Sequence, residues 1–427
     1  MLAMTLVISY PVGTAEASFD VEAESAILVD GDSGKILFAK DPDVALPPAS
    51  MTKMMTEYLV LEAIDNDEVG WDTTTQVSDY AYRISADDSM SGVGLVQEKD
   101  YTVRELYEAM AINSDNATTI ALAELIAGSE GEFVQLMNEK GEEMGLPEFE
   151  FVNSTGLDNK DLEDNHPEGT DPDGINQLSA RSSALLAYHL VNDYPEALEI
   201  SSIPETKFDD QTIRNWNYML PHEAEYLEQY FYEGVDGLKT GFTELAQFSF
   251  TGTANRDEQR LITVVMRTES EEARFQETAK LLDHGFDEFE RVELFPVGHQ
   301  LENEETIPVS KGKDKEVPIS INEGITIPVS SGEEDLYTLE YTLDEDKLNE
   351  DGELVAPIEE GEKVGTAELV YNGEEDDAGY IFGDAAIDVV TEQPVEKSNW
   401  FMLSLGAIGD FFANLFTAAV DWIKGLF

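Results

Sequence analysis

The order of strand-like and helix-like runs is the feature that most restricts the fold of this 427-residue chain. Two short apolar runs, residues 26–30 and 35–39, have the composition typical of strands. A long block of helical periodicity follows, and strand patterns return at residues 248–254 and 261–266. This order predicts an α+β domain in which a sheet carries a helical insert.

The helical block contains several segments in which apolar residues recur every three or four positions. The first begins near Ser50, after two prolines, which is a typical start for a helix. Further helices are predicted at residues 103–112, 117–127, 133–144, 180–191 and 271–284.

The string Gly31-Asp32-Ser33-Gly34, between the first two strand-like runs, has two interpretations. It is similar to the sequence around the nucleophile of some serine proteases. Its residues also favour a tight turn between two strands. No suitably placed histidine follows it, so we interpret the string as the turn of a β-hairpin.

The sequence pattern changes near residue 290. Residues 297–395 alternate short Val, Ile, Thr and Tyr runs with Gly, Asn, Asp and Glu turns, and contain no long helical pattern. We therefore predict a first domain at residues 18–292 and a small all-β domain at residues 293–395.

Both ends of the chain have patterns associated with membranes. An apolar run precedes Ala15-Glu16-Ala17, which is similar to a signal-peptidase site, although a basic N-terminal region is missing. We predict a signal peptide at residues 1–17; a buried strand is the alternative. Residues 396–427 predict an amphipathic helix whose polar stripe interrupts any membrane-spanning run. That helix either lies in the membrane interface, on the outer face of the cytoplasmic membrane, or docks on its own protein.

The formal net charge of −65 excludes several functions. No basic surface is available to neutralise the phosphates of a nucleic acid. The chain has no cysteine, and its five histidines are scattered, so the sequence implies no metal and no organic cofactor. Because apolar residues make up 42% of the chain, we expect a folded protein with an acidic surface rather than disorder.

Three short strings carry the candidate chemistry: Ser50-Met51-Thr52-Lys53, Ser114-Asp115-Asn116 and Lys239-Thr240-Gly241. Serine and lysine three positions apart on a helix share a face, and a lysine of lowered pKa can activate a serine. Each string alone has a structural explanation: a capped helix, an N-cap and an edge strand, respectively. Together they supply the groups needed for acyl transfer without histidine or metal.

The order and flanks of these strings resemble those of low-molecular-mass penicillin-binding proteins, the serine-type D-alanyl-D-alanine carboxypeptidases. The resemblance extends from Ala26 to the C-terminal helix and includes residues 151–157, 166–170, 179–181 and 260–266. It implies a two-layer transpeptidase and β-lactamase-like domain with an antiparallel sheet, a β-rich second domain and a terminal anchor.

The resemblance also implies roles for individual residues. Ser50 would be the acylated nucleophile and Lys53 its base, and Ser114 and Lys239 would complete the proton relay. The substrate would be a peptidoglycan pentapeptide, and β-lactams would be covalent inhibitors. The implied substrate-binding residues are Asn116, Thr240, Gly241, Phe242 and Arg274.

Two departures from the family pattern leave other functions open. Gln247 stands where a glycine is usual, which would narrow the wall of the site. The form Ser-Asp-Asn is typical of class A β-lactamases, but their Glu-x-x-Leu-Asn element occurs here only at residues 345–349, after the third string. D,D-endopeptidase, β-lactamase and a non-catalytic wall-binding scaffold are the alternatives to a carboxypeptidase.

The acidic composition generates a prediction about salt. At 1 M salt the Debye length falls to about 3 Å, so repulsion among surface carboxylates is screened. We expect the thermal midpoint and the activity to rise between low and molar NaCl. A stability and an activity that stay constant across this range would contradict a saline working medium.

Overall fold

The computed structural model describes residues 19–87, 90–302, 304–373, 377–383 and 386–398, with backbone alone at 163–164. The predicted signal peptide and nearly all of the predicted C-terminal helix lie outside these residues. Within the described part of the chain, no helix has the length and apolar character needed to cross a membrane.

The helices of the first domain are numbered in chain order. They are α1 (Lys53–Asp65), α2 (Asp79–Ser85), α3 (Val103–Asn113), α4 (Asn116–Ala127), α5 (Glu130–Glu143), α6 (Ala180–Asp193), α7 (Glu196–Ser201) and α8 (Glu271–Glu288). Six of them begin at a side chain that accepts a hydrogen bond from the first turn: Ser78, Thr102, Asp115, Ser129, Ser179 and Ser270. The helices predicted from apolar spacing are confirmed, and a side-chain cap marks the start of each of them except α1.

The strands of this domain form one large antiparallel sheet and three small ribbons. They are β1 (Ser25–Asp30), β2 (Ile36–Lys40), β3 (Thr74–Thr75), β4 (Tyr101–Thr102), β5 (Phe149–Glu150), β6 (Gln177–Leu178), β7 (Glu205–Phe208), β8 (Gln211–Arg214), β9 (Val235–Thr243), β10 (Gln247–Arg256) and β11 (Gln259–Thr268). The large sheet has the order β2-β1-β11-β10-β9, so β2 and β9 are its edges. The predicted hairpin is confirmed, because β1 pairs with β2 and the Asp30 carboxylate accepts from the Ser33 amide and hydroxyl in the turn.

Both faces of the large sheet are covered. On one face, Ile27 and Val29 of β1 pack into a core with the helical block. On the other face, Ala26 and Leu28 pack with Phe275 and the rest of α8. Successive residues of β1 point to opposite faces of the sheet, and apolar side chains therefore cover both faces. The domain has three layers rather than the two that the family resemblance implied, because α8 covers the face opposite the helical block.

The second domain is built from β12 (Phe289–Phe295), β13 (Thr306–Ser310), β14 (Glu316–Ile321), β15 (Ile325–Ser330), β16 (Tyr337–Leu343), β17 (Leu354–Val355), β18 (Lys363–Tyr371) and β19 (Ala386–Thr391). Its larger sheet has the order β16-β18-β19-β14-β13-β17, and β12 pairs with β15. The helical elements described in this domain are two short 3-10 turns, at Glu334–Leu336 and Glu345–Lys347. β12 starts directly after α8 and runs through residues 292 and 293, so the predicted domain boundary falls inside this strand.

A segment of the second domain, residues 377–383, packs on the edge strand β2 of the first. The Ile36 amide donates to the Gly379 carbonyl at 2.9 Å, and the Ile381 amide donates to the Gly34 carbonyl at 3.0 Å. Lys35 lies buried at this contact. Its Nζ is 2.8 Å from an oxygen of Asp377 and lies 5.4 and 5.5 Å from the ring centroids of Tyr337 and Tyr380.

This contact predicts a stabilising role for the Lys35 charge. Lys35→Met keeps the aliphatic chain and removes the ion pair and the cation–π contacts. We expect it to cost about 1–3 kcal/mol, or about 2–4 °C in the thermal midpoint per kcal/mol. The control is Lys347→Met, which removes an exposed pair with Glu362 and should have little effect. Equal midpoints for the two variants would contradict the assignment.

Candidate active site

Ser50 and Lys53 lie where a 3-10 turn, Ala49–Thr52, leads into α1. The Nζ of Lys53 is 3.0 Å from the Oγ of Ser50, so the first string brings both groups together as its spacing predicted. Lys53 is fully buried, whereas Ser50 is partly exposed and lines a cleft.

Two further acceptors contact the same amine. The Nζ of Lys53 donates to the Asn116 Oδ1 at 2.8 Å and to the Thr155 carbonyl at 2.7 Å. Asn116 was among the predicted site residues. Thr155 was not, although it lies in the segment 151–157 that contributed to the family resemblance. Its side chain has no part in the contact, so residue type alone could not identify it.

The second string forms the junction between α3 and α4. Ser114 ends α3 in the left-handed conformation, with φ of 61°, and lines the cleft. Asp115 caps α4 by accepting from the Thr118 amide, and Asn116 is the first residue of that helix. The N-cap explanation is therefore correct for Asp115, and its neighbours Ser114 and Asn116 lie at the cleft and against Lys53.

The third string lies on β9, at the edge of the large sheet. Lys239 is buried, and Thr240 lines the cleft. A Cβ atom on Gly241 would lie 2.4 Å from the Pro48 carbonyl oxygen. Gly241 is among the substrate-binding residues that the resemblance implies, and its close neighbour in the fold is the turn that carries Ser50. The lack of a side chain lets β9 pass beside Ser50.

The two lysines share one buried environment. Burial, followed by the nearby Lys239 ammonium, lowers the pKa of Lys53 well below its usual value. Burial also lowers the pKa of Lys239 to about 8, against the opposing effect of the Glu57 carboxylate. Burial raises the pKa of Glu57 itself to about 7, and its carboxyl accepts from the Tyr107 hydroxyl at 3.3 Å.

The cleft has a volume of about 320 Å³. Phe242 and Phe248 form one wall, with ring centroids 4.5 Å apart. Single serine, aromatic and acidic residues have no unique sequence signature. Sequence reasoning therefore missed four of the lining residues: Ser91, Trp216, Phe248 and Glu271. A larger cavity of about 710 Å³ lies beside α5 and contains none of the predicted site residues.

Arg274 reaches the cleft from the first turn of α8. Its guanidinium donates to the Gly241 carbonyl at 3.4 Å and to the Glu271 carboxylate at 3.1 Å. Burial lowers the pKa of Arg274 to about 10, so the group remains a cation at neutral pH. Ser50 and the Arg274 cation therefore line the cleft, and the Lys53 amine is buried directly behind Ser50.

Of the two departures, only Gln247 lies away from Ser50 and Lys53, because the Ser-Asp-Asn string places Asp115 at the N-cap of α4, between Ser114 and Asn116. Gln247 is exposed in the turn between β9 and β10 with φ of 53°, and it is absent from the cleft lining, so the predicted narrowing of the wall is wrong. A left-handed φ explains why glycine is usual there. Glu345 lies in a 3-10 turn of the second domain and is not part of the cleft.

Comparisons with known proteins agree with this geometry. Residues 12–270 match the family D-alanyl-D-alanine carboxypeptidase, peptidase S11, and residues 289–397 match the C-terminal domain of penicillin-binding protein 5. The chain is 31% identical over 353 residues to the D-alanyl-D-alanine carboxypeptidase DacF of Bacillus subtilis, covering 83% of this chain and 82% of the relative.

Solved structures give the same result. The peptidoglycan synthesis regulatory factor PBP3 of Streptococcus pneumoniae aligns with a TM-score of 0.71 at 34% identity, covering 88% of this chain and 100% of that one. Penicillin-binding protein D2 of Listeria monocytogenes, solved with ampicillin bound, aligns with a TM-score of 0.53 at 30% identity. The alignment covers 63% of this chain and 100% of that one. The chain belongs to the S11 family of low-molecular-mass penicillin-binding proteins and is a serine-type D-alanyl-D-alanine carboxypeptidase.

Proposed function

We propose that this enzyme removes the terminal D-alanine from peptidoglycan stem pentapeptides through an acyl-enzyme on Ser50. The contact that carries the proposal is the 3.0 Å approach of the buried Lys53 amine to the Ser50 hydroxyl. A neutral amine has two N–H groups and one lone pair. Because the Asn116 and Thr155 oxygens accept the two N–H groups, the lone pair faces Ser50.

The reaction then proceeds by acylation of Ser50 and hydrolysis of the resulting ester. The Ser50 oxygen attacks the carbonyl carbon of the D-Ala–D-Ala bond while its proton moves to Lys53. The backbone N–H groups of Ser50 and Phe242 stabilise the tetrahedral oxyanion. The C–N bond breaks as Ser114 gives its hydroxyl proton to the departing amine and receives in turn the proton held by Lys53, with Lys239 nearby, and D-alanine leaves. Water then hydrolyses the ester and restores Ser50.

The remaining groups hold the peptide. The β9 edge can pair with an extended peptide backbone, since its outer hydrogen-bonding groups face away from β10. The Asn116 amide contacts the substrate amide. Thr240 and Arg274 bind the terminal carboxylate, and the carbonyl of Gly241 fixes the guanidinium beside it.

β-lactams are proposed to acylate the same serine. The relative from Listeria was solved with ampicillin bound and also with cefotaxime bound, which supports this step. The Glu-x-x-Leu-Asn string that would assist rapid deacylation lies in the second domain. We therefore propose a long-lived adduct and inhibition rather than turnover.

One prediction of the proposed function concerns the nucleophile. We expect a fluorescent penicillin to label the wild-type enzyme and Ser33→Ala equally, and to leave Ser50→Ala unlabelled. Ser33 is the matched control because it belongs to the other protease-like string and only stabilises a turn. Mass spectrometry of the intact protein should show one adduct that persists. Labelling of Ser50→Ala, or fast release of the adduct from the wild type, would contradict the proposal.

A second prediction concerns location. We propose that the enzyme is secreted and held on the outer face of the cytoplasmic membrane by the helix predicted at residues 396–427. A variant that ends at Ser398 should keep penicillin labelling and move from the membrane fraction to the soluble fraction. Continued sedimentation of the truncated enzyme with membranes would contradict the anchor.

A further inference from the structure

Glu130, a buried acid outside the cleft, is connected to the amine of Lys53 through one turn of backbone. It is the first residue of α5, and its carboxylate Oε1 accepts from the Ser154 amide at 3.0 Å and from the Ser154 hydroxyl at 2.6 Å. A carboxylate is also favoured at this position by the helix N-terminus. The next residue, Thr155, supplies the carbonyl that accepts from Lys53.

The segment that carries this carbonyl is fixed from two other sides. The Asn153 Oδ1 accepts from the amides of Thr155 and Gly156, and the Thr56 hydroxyl donates to the Ser154 carbonyl at 2.9 Å. These contacts hold the turn, but Glu130 supplies the contacts to the Ser154 amide and hydroxyl. Removing it would leave two buried donors without their acceptor.

We propose that Glu130 is a positioning residue for the acylation step. Its carboxylate anchors Ser154, and it thereby holds the Thr155 carbonyl against Lys53 and keeps the lone pair of the amine aimed at Ser50. This role rests on the proposed function, in which Lys53 is the base for Ser50. It gives a second, electrostatic effect as well, because the carboxylate favours the ammonium form of Lys53.

The charged surroundings of both groups determine the sign of that effect. Lys53 faces the cation Lys239 and the carboxyls of Glu57, Asp115 and Glu130. Glu130 faces Lys53 together with the Tyr80 hydroxyl on α2 and the Glu124 carboxyl on α4. Burial raises the pKa of Glu130, whereas the Ser154 donors, Tyr80 and Lys53 lower it. Loss of the Glu130 charge removes one anion from the surroundings of Lys53, so the pKa of Lys53 falls further.

Two variants separate anchoring from charge. Glu130→Gln keeps an oxygen that can accept from both Ser154 donors and removes the charge. Glu130→Ala removes both. The control is Glu124→Gln, which is the same substitution on a partly buried acid that bonds to Ser78 and does not contact Ser154. The measurement is the rate constant for acylation by a fluorescent penicillin between pH 5 and about 10, a range that spans titration of a lysine of lowered pKa.

The rate of the wild type should rise with pH as Lys53 loses its proton. For Glu130→Gln we expect a similar plateau and an acid limb displaced to lower pH, because one anion near Lys53 is lost. For Glu130→Ala we expect a plateau lower by roughly 10- to 100-fold, because misplacement of about 1 Å is enough for such a loss. Glu124→Gln should follow the wild type.

The outcomes distinguish the two proposals. A wild type that penicillin does not acylate at Ser50 would overturn the proposed function. With a wild type that is acylated normally, Glu130→Ala acylating at the wild-type rate would overturn the anchoring role of Glu130. A plateau in Glu130→Gln as low as that expected for Glu130→Ala would also overturn it, because glutamine keeps the acceptor. An acid limb in Glu130→Gln that coincides with that of the wild type would overturn the electrostatic effect. Thermal midpoints show whether Glu130→Ala is folded, and Glu130→Gln keeps the test decisive if it is not.

Discussion

Burial of two lysine amines beside one serine is the constraint on which the rest of the first domain depends. An isolated ammonium loses several kcal/mol on transfer out of water, so Lys53 and Lys239 need compensating partners. Three buried carboxyls supply them, and each also has a structural contact: Glu57 with Tyr107, Asp115 with the Val93 amide, and Glu130 with Ser154. The two buried amines and the internal hydrogen bonds of the helical block are thus parts of one network.

The two edge strands of the large sheet, β2 and β9, differ in whether the second domain pairs with them. An unpaired strand edge offers a row of hydrogen-bonding groups to any extended peptide. At β2, residues 379–381 of the second domain take up part of this edge, and the buried Lys35 holds them there. At β9, which passes beside Ser50, no described strand pairs with the outer edge. Among the described strands of this sheet, the second domain therefore leaves the strand next to Ser50 as the one available for peptide pairing.

The predictable part of this structure was the part that periodicity and short spacing encode. The helices, the first hairpin and the Ser50–Lys53 contact follow from repeats of two to four residues. Groups that act through the backbone carry no such signal. The Thr155 carbonyl and the Pro48 carbonyl beside Gly241 depend on how distant segments pack. The second helical layer was missed for the same reason, since apolar spacing shows that α8 has a buried face and not which face of the sheet it meets.

The acidic composition and the cationic groups at the cleft place opposite demands on the same substrate. The chain has 90 acidic and 25 basic residues, so its net charge repels a peptide that ends in a carboxylate. Three of the basic residues, Lys53, Lys239 and Arg274, are buried at the site. Salt screens exposed charges much more effectively than buried ones. Concentrated salt would therefore suppress the repulsion at the surface and preserve the attraction in the cleft, which makes this charge distribution suited to a saline medium.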